Sequence, residues 1–176
     1  MEQINQYRDY LIRPWQSADR TAAAAVIRTS LAEYGLGWEA DGADRDVLEV
    51  ETSYLDRGGE FWVIEYQGQI VGTSAYYPID RGEKAVEIRK MYLRPIARGQ
   101  GLGRHLLAEL ERVIAYLGYL EIWIETASIL TEAVKLYESS GYQPATGVET
   151  ARCDRVYVKL IPVTAIPLPP DRTAAL

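Results

Sequence analysis

The stretch Ala85-Val86-Glu87-Ile88-Arg89-Lys90-Met91-Tyr92-Leu93 runs through Arg94-Pro95-Ile96-Ala97 into Arg98-Gly99-Gln100-Gly101-Leu102-Gly103-Arg104-His105. It reads as a strand, a break at Pro95, a glycine-rich turn and the start of an amphipathic helix. Such a turn is an anion site: unpaired backbone N–H groups converge there and the helix dipole favours negative charge. Glycine lets a ligand approach the backbone, and Arg98 and Arg104 bracket the turn with phosphate-type donors. A ligand carrying phosphate, bound just after a strand, is the first expectation. A P-loop is excluded because no Gly-Lys-Ser or Gly-Lys-Thr occurs in the chain. A Rossmann turn is excluded because Gly99, Gly101 and Gly103 alternate and position 104 is Arg.

The strand before the turn is irregular. Val86 and Ile88 share one face, with Glu87 and Arg89 on the other. Strict alternation would then put Lys90 with the core residues and Met91 with the polar ones. A one-residue slip of the pleat near Arg89 to Met91 restores the apolar parity, which is what a β-bulge does. The alternative is a strand end with Lys90 snorkelling. A bulge would splay the strand from its next neighbour and leave backbone groups free for an extended, amide-bearing ligand.

Outward from this centre, the helix after the turn carries Leu102, Leu106, Leu110, Val113 and Leu117 on one stripe and ends at Gly118. His105 lies off that stripe. Tyr119 to Thr126 is the next strand, expected to be parallel to the central one through a right-handed crossover. Leu130, Ala133, Val134 and Tyr137 recur at helical spacing up to Ser139-Ser140-Gly141. A last hairpin joins Tyr142-Gln143-Pro144 to Arg155–Leu160.

Towards the N-terminus, Gly58-Gly59 and Gln67-Gly68 delimit two strands, 61–66 and 69–77, that form a meander with the central one. Asp44 to Leu55 has helical spacing. The Gly35–Asp44 loop is either a solvated connector or the wall of an acceptor site, through Trp38 and Glu39. A first helix carries Ala23, Val26, Ile27, Leu31 and Tyr34, with Ser17 as its expected cap. Tyr10 to Trp15 is the first strand. Residues 1–9 form a polar extension, 10–160 one domain, and 161–176 an extended proline-rich tail that could pack on the surface or reach a neighbouring subunit of a homodimer.

The 176 residues suffice for one core. A net charge of −6 argues against nucleic acid or anionic membrane as partners and is compatible with a cationic substrate. One cysteine and one histidine exclude an internal disulfide, a cysteine zinc cluster and a multi-histidine metal centre, so no metal is expected. No apolar run approaches the roughly 18–20 residues that span a bilayer, and the N-terminus lacks signal-peptide character. A cytoplasmic setting is expected.

Three segments carry a family resemblance. Arg98-x-x-Gly101-x-Gly103 resembles the pyrophosphate signature of the GNAT superfamily of N-acetyltransferases. Glu87 to Leu93 resembles that family's splayed fourth strand, and Ala133-Val134-Lys135-Leu136-Tyr137-Glu138-Ser139-Ser140-Gly141-Tyr142 resembles its A-x-x-L-Y-E-x-x-G-F/Y block. Leu130 stands where many members have Asn. The resemblance covers residues 10–160 and implies an α/β (α+β) fold. Its mixed sheet has about seven strands, splayed between the fourth and fifth, and about four helices flank it.

The resemblance implies acetyl-coenzyme A as donor and a small-molecule or peptide primary amine as acceptor, in a direct transfer. Donor contacts would come from Met91, Tyr92, Leu93, Arg98, Gly99, Gln100, Gly101, Leu102, Gly103 and Arg104. It implies Tyr137 as general acid, and either Glu87 or Glu125 could serve as base. Cys153, far from these motifs in sequence, is not assigned a covalent role. A noncatalytic acyl-coenzyme A sensor is the alternative.

Overall fold

The computed structural model describes residues 5–162. Eight strands form one sheet: β1 Asn5–Tyr7, β2 Tyr10–Pro14, β3 Glu60–Tyr66, β4 Gln69–Ile79, β5 Ala85–Leu93, β6 Glu121–Thr126, β7 Gln143–Ala145 and β8 Arg155–Leu160. Their order across the sheet is β1-β2-β3-β4-β5-β6-β8-β7. Every neighbouring pair is antiparallel except β5–β6. The parallel pair needs a crossover, and α3 (Leu102–Tyr116) supplies it.

Helices cover both faces. On one, α3 and α4 (Thr131–Ser139) pack against Val86, Ile88, Ile122 and Ile124. On the other, α1 (Arg20–Glu33), α2 (Arg45–Leu48) and a π-helical turn (Glu51–Leu55) pack against Phe61, Val63 and Ala75. The stripe of α3 buries Leu102, Leu106, Leu107, Leu110, Val113 and Ile114, each worth about 2 kcal/mol of removal from water. Leu117 lies beyond the last turn and is 51% exposed, so it does not belong to the stripe expected of it.

Three further features differ from the sequence reading. The polar residues 1–9 include an edge strand, Asn5–Tyr7, closed by a tight turn in which Arg8 has φ 52°. Tyr7 stacks on His105 at 4.5 Å and donates to the Gln100 carbonyl, which ties this strand to the glycine turn. The cap before α1 is not Ser17: the Gln16 N–H donates to Asp19 Oδ2, and Arg13 grips both Asp19 oxygens. The helical spacing of 44–55 is broken at Glu49 into α2 and the π turn, a break that brings the Tyr54 hydroxyl to Asp46. The proline-rich tail lies outside the described residues from position 163 onward.

The bulge is present. Thr73 pairs with Tyr92 and Ala75 with Arg89, so Lys90 and Met91 together face Ser74. Lys90 has φ 52°, in the left-handed region, and its carbonyl accepts from Thr73 Oγ1 at 2.6 Å. Before the slip Val86 and Ile88 face the α3 side; after it Met91 and Leu93 do, while Tyr92 turns to the α1 side. Pairing with β6 stops at Ile88↔Ile124. The sheet is splayed there, between β5 and β6, and its core-facing edges diverge around a cavity.

Candidate active site

The donor end begins at the turn. Gly99 and Gly101 have φ 70° and 81°, a backbone state that L side chains rarely adopt. Gly101 is the N-cap of α3. The first helical bond runs from the His105 N–H to the Gly101 carbonyl at 3.0 Å, which leaves the preceding amides for a ligand. At Gly101 an added Cβ would lie 2.8 Å from the Tyr7 hydroxyl oxygen.

The residues expected to surround the phosphates divide into two groups. The backbone of 99–103 forms the turn, and Arg104 is exposed, with one bond to Ser139. Arg98 instead grips the Leu93 carbonyl and both oxygens of Glu33, fastening the turn to β5 and to the end of α1. Gln100 bonds Tyr10 and the Ile96 carbonyl, and Leu102 is core.

From the turn a groove of about 250 Å³ runs along β5 between α1 and α4, with Met91, Tyr92 and Leu93 on its floor and Leu136 and Tyr137 on its wall. It meets a narrow chamber of about 70 Å³ in the splay, sharing Met91, Tyr92, Leu130, Ala133 and Tyr137 with it. Beyond Ile88 no β6 residue pairs with β5 among the described residues, so the backbone along the groove floor is open to a ligand on that side. Leu130 is the N-cap of α4 and offers no side-chain cap.

Tyr137, Glu87 and Glu125, from three different elements, all line the chamber. Tyr137 is 5% exposed and packs against Tyr142 and Tyr157. Burial, with the neighbouring Tyr92 and Cys153, raises its pKa, so the phenol is protonated at neutral pH. Its hydroxyl has no hydrogen-bond partner among the described residues.

The two carboxylates differ. Burial raises Glu87 above the ordinary carboxylate range against the opposing pull of Arg89; the charge of Glu125 adds to the rise and the Tyr77 hydroxyl, 3.4 Å away, reduces it. Burial also pushes Glu125 up, but the N–H groups of Glu149 and Thr150 and the guanidinium of Arg81 outweigh it, and its pKa is lowered. Glu125 is thus a fixed anion holding the 146–150 loop, whereas Glu87 is a carboxylate with a raised proton affinity facing the cavity.

Sequence reasoning missed several wall residues. Cys153 and Arg152 line the chamber because β8 returns antiparallel beside β6. Burial, with the charge of Glu125, lifts the Cys153 thiol to about 11, which keeps it protonated. Lys90, 3% exposed at its side chain, donates to Asp44 at 2.8 Å and to the Ala43 carbonyl at 2.7 Å. Asp44, fully buried, is also gripped through both oxygens by Arg152 at 2.6 and 2.7 Å. The bulge signals Lys90; nothing in the sequence signals its partners. Trp38 packs on the α1-side core and Glu39 folds back on the Ala43 N–H; neither lines the groove or the chamber. No group of three or more His, Cys, Asp or Glu among the described residues is arranged to hold a metal ion, and no helix is long and apolar enough to cross a membrane.

Comparison with known proteins agrees with this geometry. Residues 23–142 match the acetyltransferase (GNAT) family. The uncharacterized N-acetyltransferase YjgM of Escherichia coli is 35% identical over 130 residues, which cover 71% of this chain and 77% of that protein. N-acetyltransferase 8 of Rattus norvegicus is 34% identical over 102 residues, 56% of this chain but only 46% of the rat protein. An acetyltransferase from Streptococcus agalactiae superposes with TM-score 0.79 at 23% identity, covering 88% of this chain and all (100%) of that one. With this match running from α1 to the end of α4, across the splay and the glycine turn, the chain belongs to the GNAT family of acetyltransferases, enzymes that use acetyl-coenzyme A.

Proposed function

We propose that this chain transfers the acetyl group of acetyl-coenzyme A directly to a primary amine, with Glu87 as base and Tyr137 as acid. The observation that carries the reading is the chamber at the splay. A protonated, unpartnered Tyr137 hydroxyl and a carboxylate of raised pKa share its wall with the open backbone of the bulged strand.

The residues fit the donor. The left-handed glycines at 99 and 101 and the free amides of the α3 N-terminus suit a pyrophosphate. The groove along Met91–Leu93 suits an extended pantetheine chain, whose amides can pair with the strand edge. The acetyl thioester then reaches the chamber.

Glu87 accepts a proton from the incoming ammonium, and its raised pKa improves it for that task. The neutral amine attacks the thioester carbonyl carbon. A backbone N–H of the bulged strand stabilises the negative charge that develops on the carbonyl oxygen. As the C–S bond breaks, Tyr137 gives its hydroxyl proton to the departing sulfur. The attacking nitrogen, left cationic by the addition, gives its second proton to solvent as the amide forms; solvent returns a proton to Tyr137, and Glu87 releases the one it took. Positioning supplies much of the rate, since effective molarities are worth about 7–11 kcal/mol. The protonated Cys153 thiol is a poor nucleophile, which favours direct transfer over an acetyl-cysteine route. The lone free cysteine is consistent with a reducing, cytoplasmic setting.

The test is release of coenzyme A thiol from acetyl-coenzyme A across a panel of amines, amino acids and peptides. Tyr137→Phe is expected to lower kcat by about 10²-fold with donor Kd nearly unchanged. Equal turnover by the variant across pH would remove Tyr137 from the chemistry. Tight donor binding with no thiol release for any acceptor would make the chain an acyl-coenzyme A sensor.

A further inference from the structure

A second cavity, of about 360 Å³, opens on the far side of Glu87. Glu87 is the single residue that lines both this cavity and the acyl chamber. Its side chain belongs to the wall of both, so a ligand seated in the outer cavity meets the candidate base where the two cavities approach each other.

The outer cavity is bipolar. Its floor is the ring of Tyr77, with the Arg57 guanidinium lying 4.0 Å above the ring centroid. One Arg57 N–H donates to the Pro78 carbonyl at 3.3 Å. No carboxylate pairs with Arg57 among the described residues, although Asp80, Glu87 and Glu149 line the same cavity. The guanidinium is therefore held in place by stacking and one bond while its remaining donors face open space. Arg81, the other cation, is committed: it stacks on Trp123, reaches Glu125, and donates to the carbonyls of Thr146 and Gly147.

These charges narrow the ligand. A polyamine would set its second cation against the free guanidinium of Arg57. A plain carboxylic acid would meet Glu87, Glu149 and Asp80. A molecule with both an ammonium and a carboxylate satisfies each end. The ends are one tyrosine side chain apart: Arg57 lies on the ring face, and the Tyr77 hydroxyl is 3.4 Å from Glu87. A free amino acid bridging two charge-assisted hydrogen bonds covers that span.

We propose that the outer cavity is the acceptor site and that it takes amino acids or similar amino-carboxylates, the amine on Glu87 and the carboxylate on Arg57. The proposal rests on the acetyl-transfer reading above, and the two can fail separately. Free L-amino acids are compared as acceptors with their carboxamides and their decarboxylated amines, reading acetylated product by mass spectrometry. The best amino acid is expected to exceed its carboxamide in kcat/KM by about tenfold or more. Arg57→Gln is expected to collapse that ratio through KM, and Arg57→Lys, which keeps the charge and loses the fork, to retain part of it. Carboxamides or decarboxylated amines used as well as the acids by the unaltered enzyme would overturn the proposal while leaving acetyl transfer intact. Conversely, calorimetry on protein loaded with coenzyme A could show Arg57-dependent amino-acid binding without any acetylated product. That result would support the site and reject the transfer reading.

Discussion

Asp44 and Lys90 offer the sharpest energetic test of how the site is held. Asp44 is fully buried and receives four charge-assisted bonds or backbone donations: from Lys90, from two nitrogens of Arg152 and from the Glu39 N–H. Burial alone would raise its pKa, yet Arg152 and Lys90 bring it down from 3.8 to about 2. That difference corresponds to about 2 kcal/mol. It is stability present above pH 4 and lost as the pH falls through 2, because a lowered carboxylate pKa means that protonation favours the unfolded chain. Substitution goes further than protonation of the intact pair. Asp44→Asn removes the anion that Lys90 and Arg152 share, leaving Lys90 with Asp46 at 3.3 Å, and removal of one partner from a buried pair costs about 3–5 kcal/mol.

Lys90→Met removes one cation but leaves Asp44 with Arg152, so its cost sits below the lower end of that range. The double variant is expected to lose less than the sum of the two single losses, because the residues share one network. Urea unfolding with linear extrapolation measures all three. A loss under about 1 kcal/mol for Asp44→Asn, or a larger loss for Lys90→Met than for Asp44→Asn, would refute the assignment of Asp44 as the hub.

Three other expectations follow from the geometry. The acid limb of kcat/KM is expected above the ordinary glutamate value, because burial raises Glu87, and Glu87→Gln should abolish it. Tyr77→Phe removes a hydroxyl that favours the ionised Glu87, so the limb should move to higher pH; a shift to lower pH would contradict the role given to Tyr77. Gly101→Ala should cost about 1–2 kcal/mol in urea unfolding through its left-handed backbone alone, plus a contact with the Tyr7 hydroxyl. Tyr7→Phe in that background should recover the contact part, less the Tyr7–Gln100 hydrogen bond that it removes.

Much of the fold was legible because its signals are local. β-forming runs between glycine turns mark β3 and β4, an apolar stripe at helical spacing marks α3, and the parity slip at Arg89–Met91 points to the bulge. The family-like block around Tyr137 placed that residue on the helix that walls the chamber. What stayed hidden depends on contacts between distant segments. Glu87 and Glu125 read alike as strand glutamates; the N–H groups of Glu149 and Thr150, brought over by the loop before β8, and the Arg81 guanidinium separate them. Arg98 reads as a phosphate ligand, but Glu33 at the end of α1 claims its fork. Asp44 reads as one acid in a solvated loop and is the most enclosed carboxylate of the site.

Lys90 shows why the hidden part and the legible part are one structure. Its left-handed φ shifts the register of β5, so Met91 and Leu93 join the core and the strand parts from β6. A lysine is a poor choice for that backbone state, which costs about 1–2 kcal/mol in a non-glycine residue. Glycine would remove the strain but would also remove the ammonium that holds Ala43 and Asp44. Through Asp44 the same ammonium reaches Arg152, beside Cys153 on the chamber wall. The strained residue therefore couples the opening of the sheet to closure of the loop over it. A Lys90→Gly variant should keep the splay and the donor groove but loosen the 37–44 loop, so amide exchange in that loop should rise while exchange in β5 stays slow. Faster exchange in β5 itself would mean that the lysine side chain, and not the local backbone, maintains the bulge.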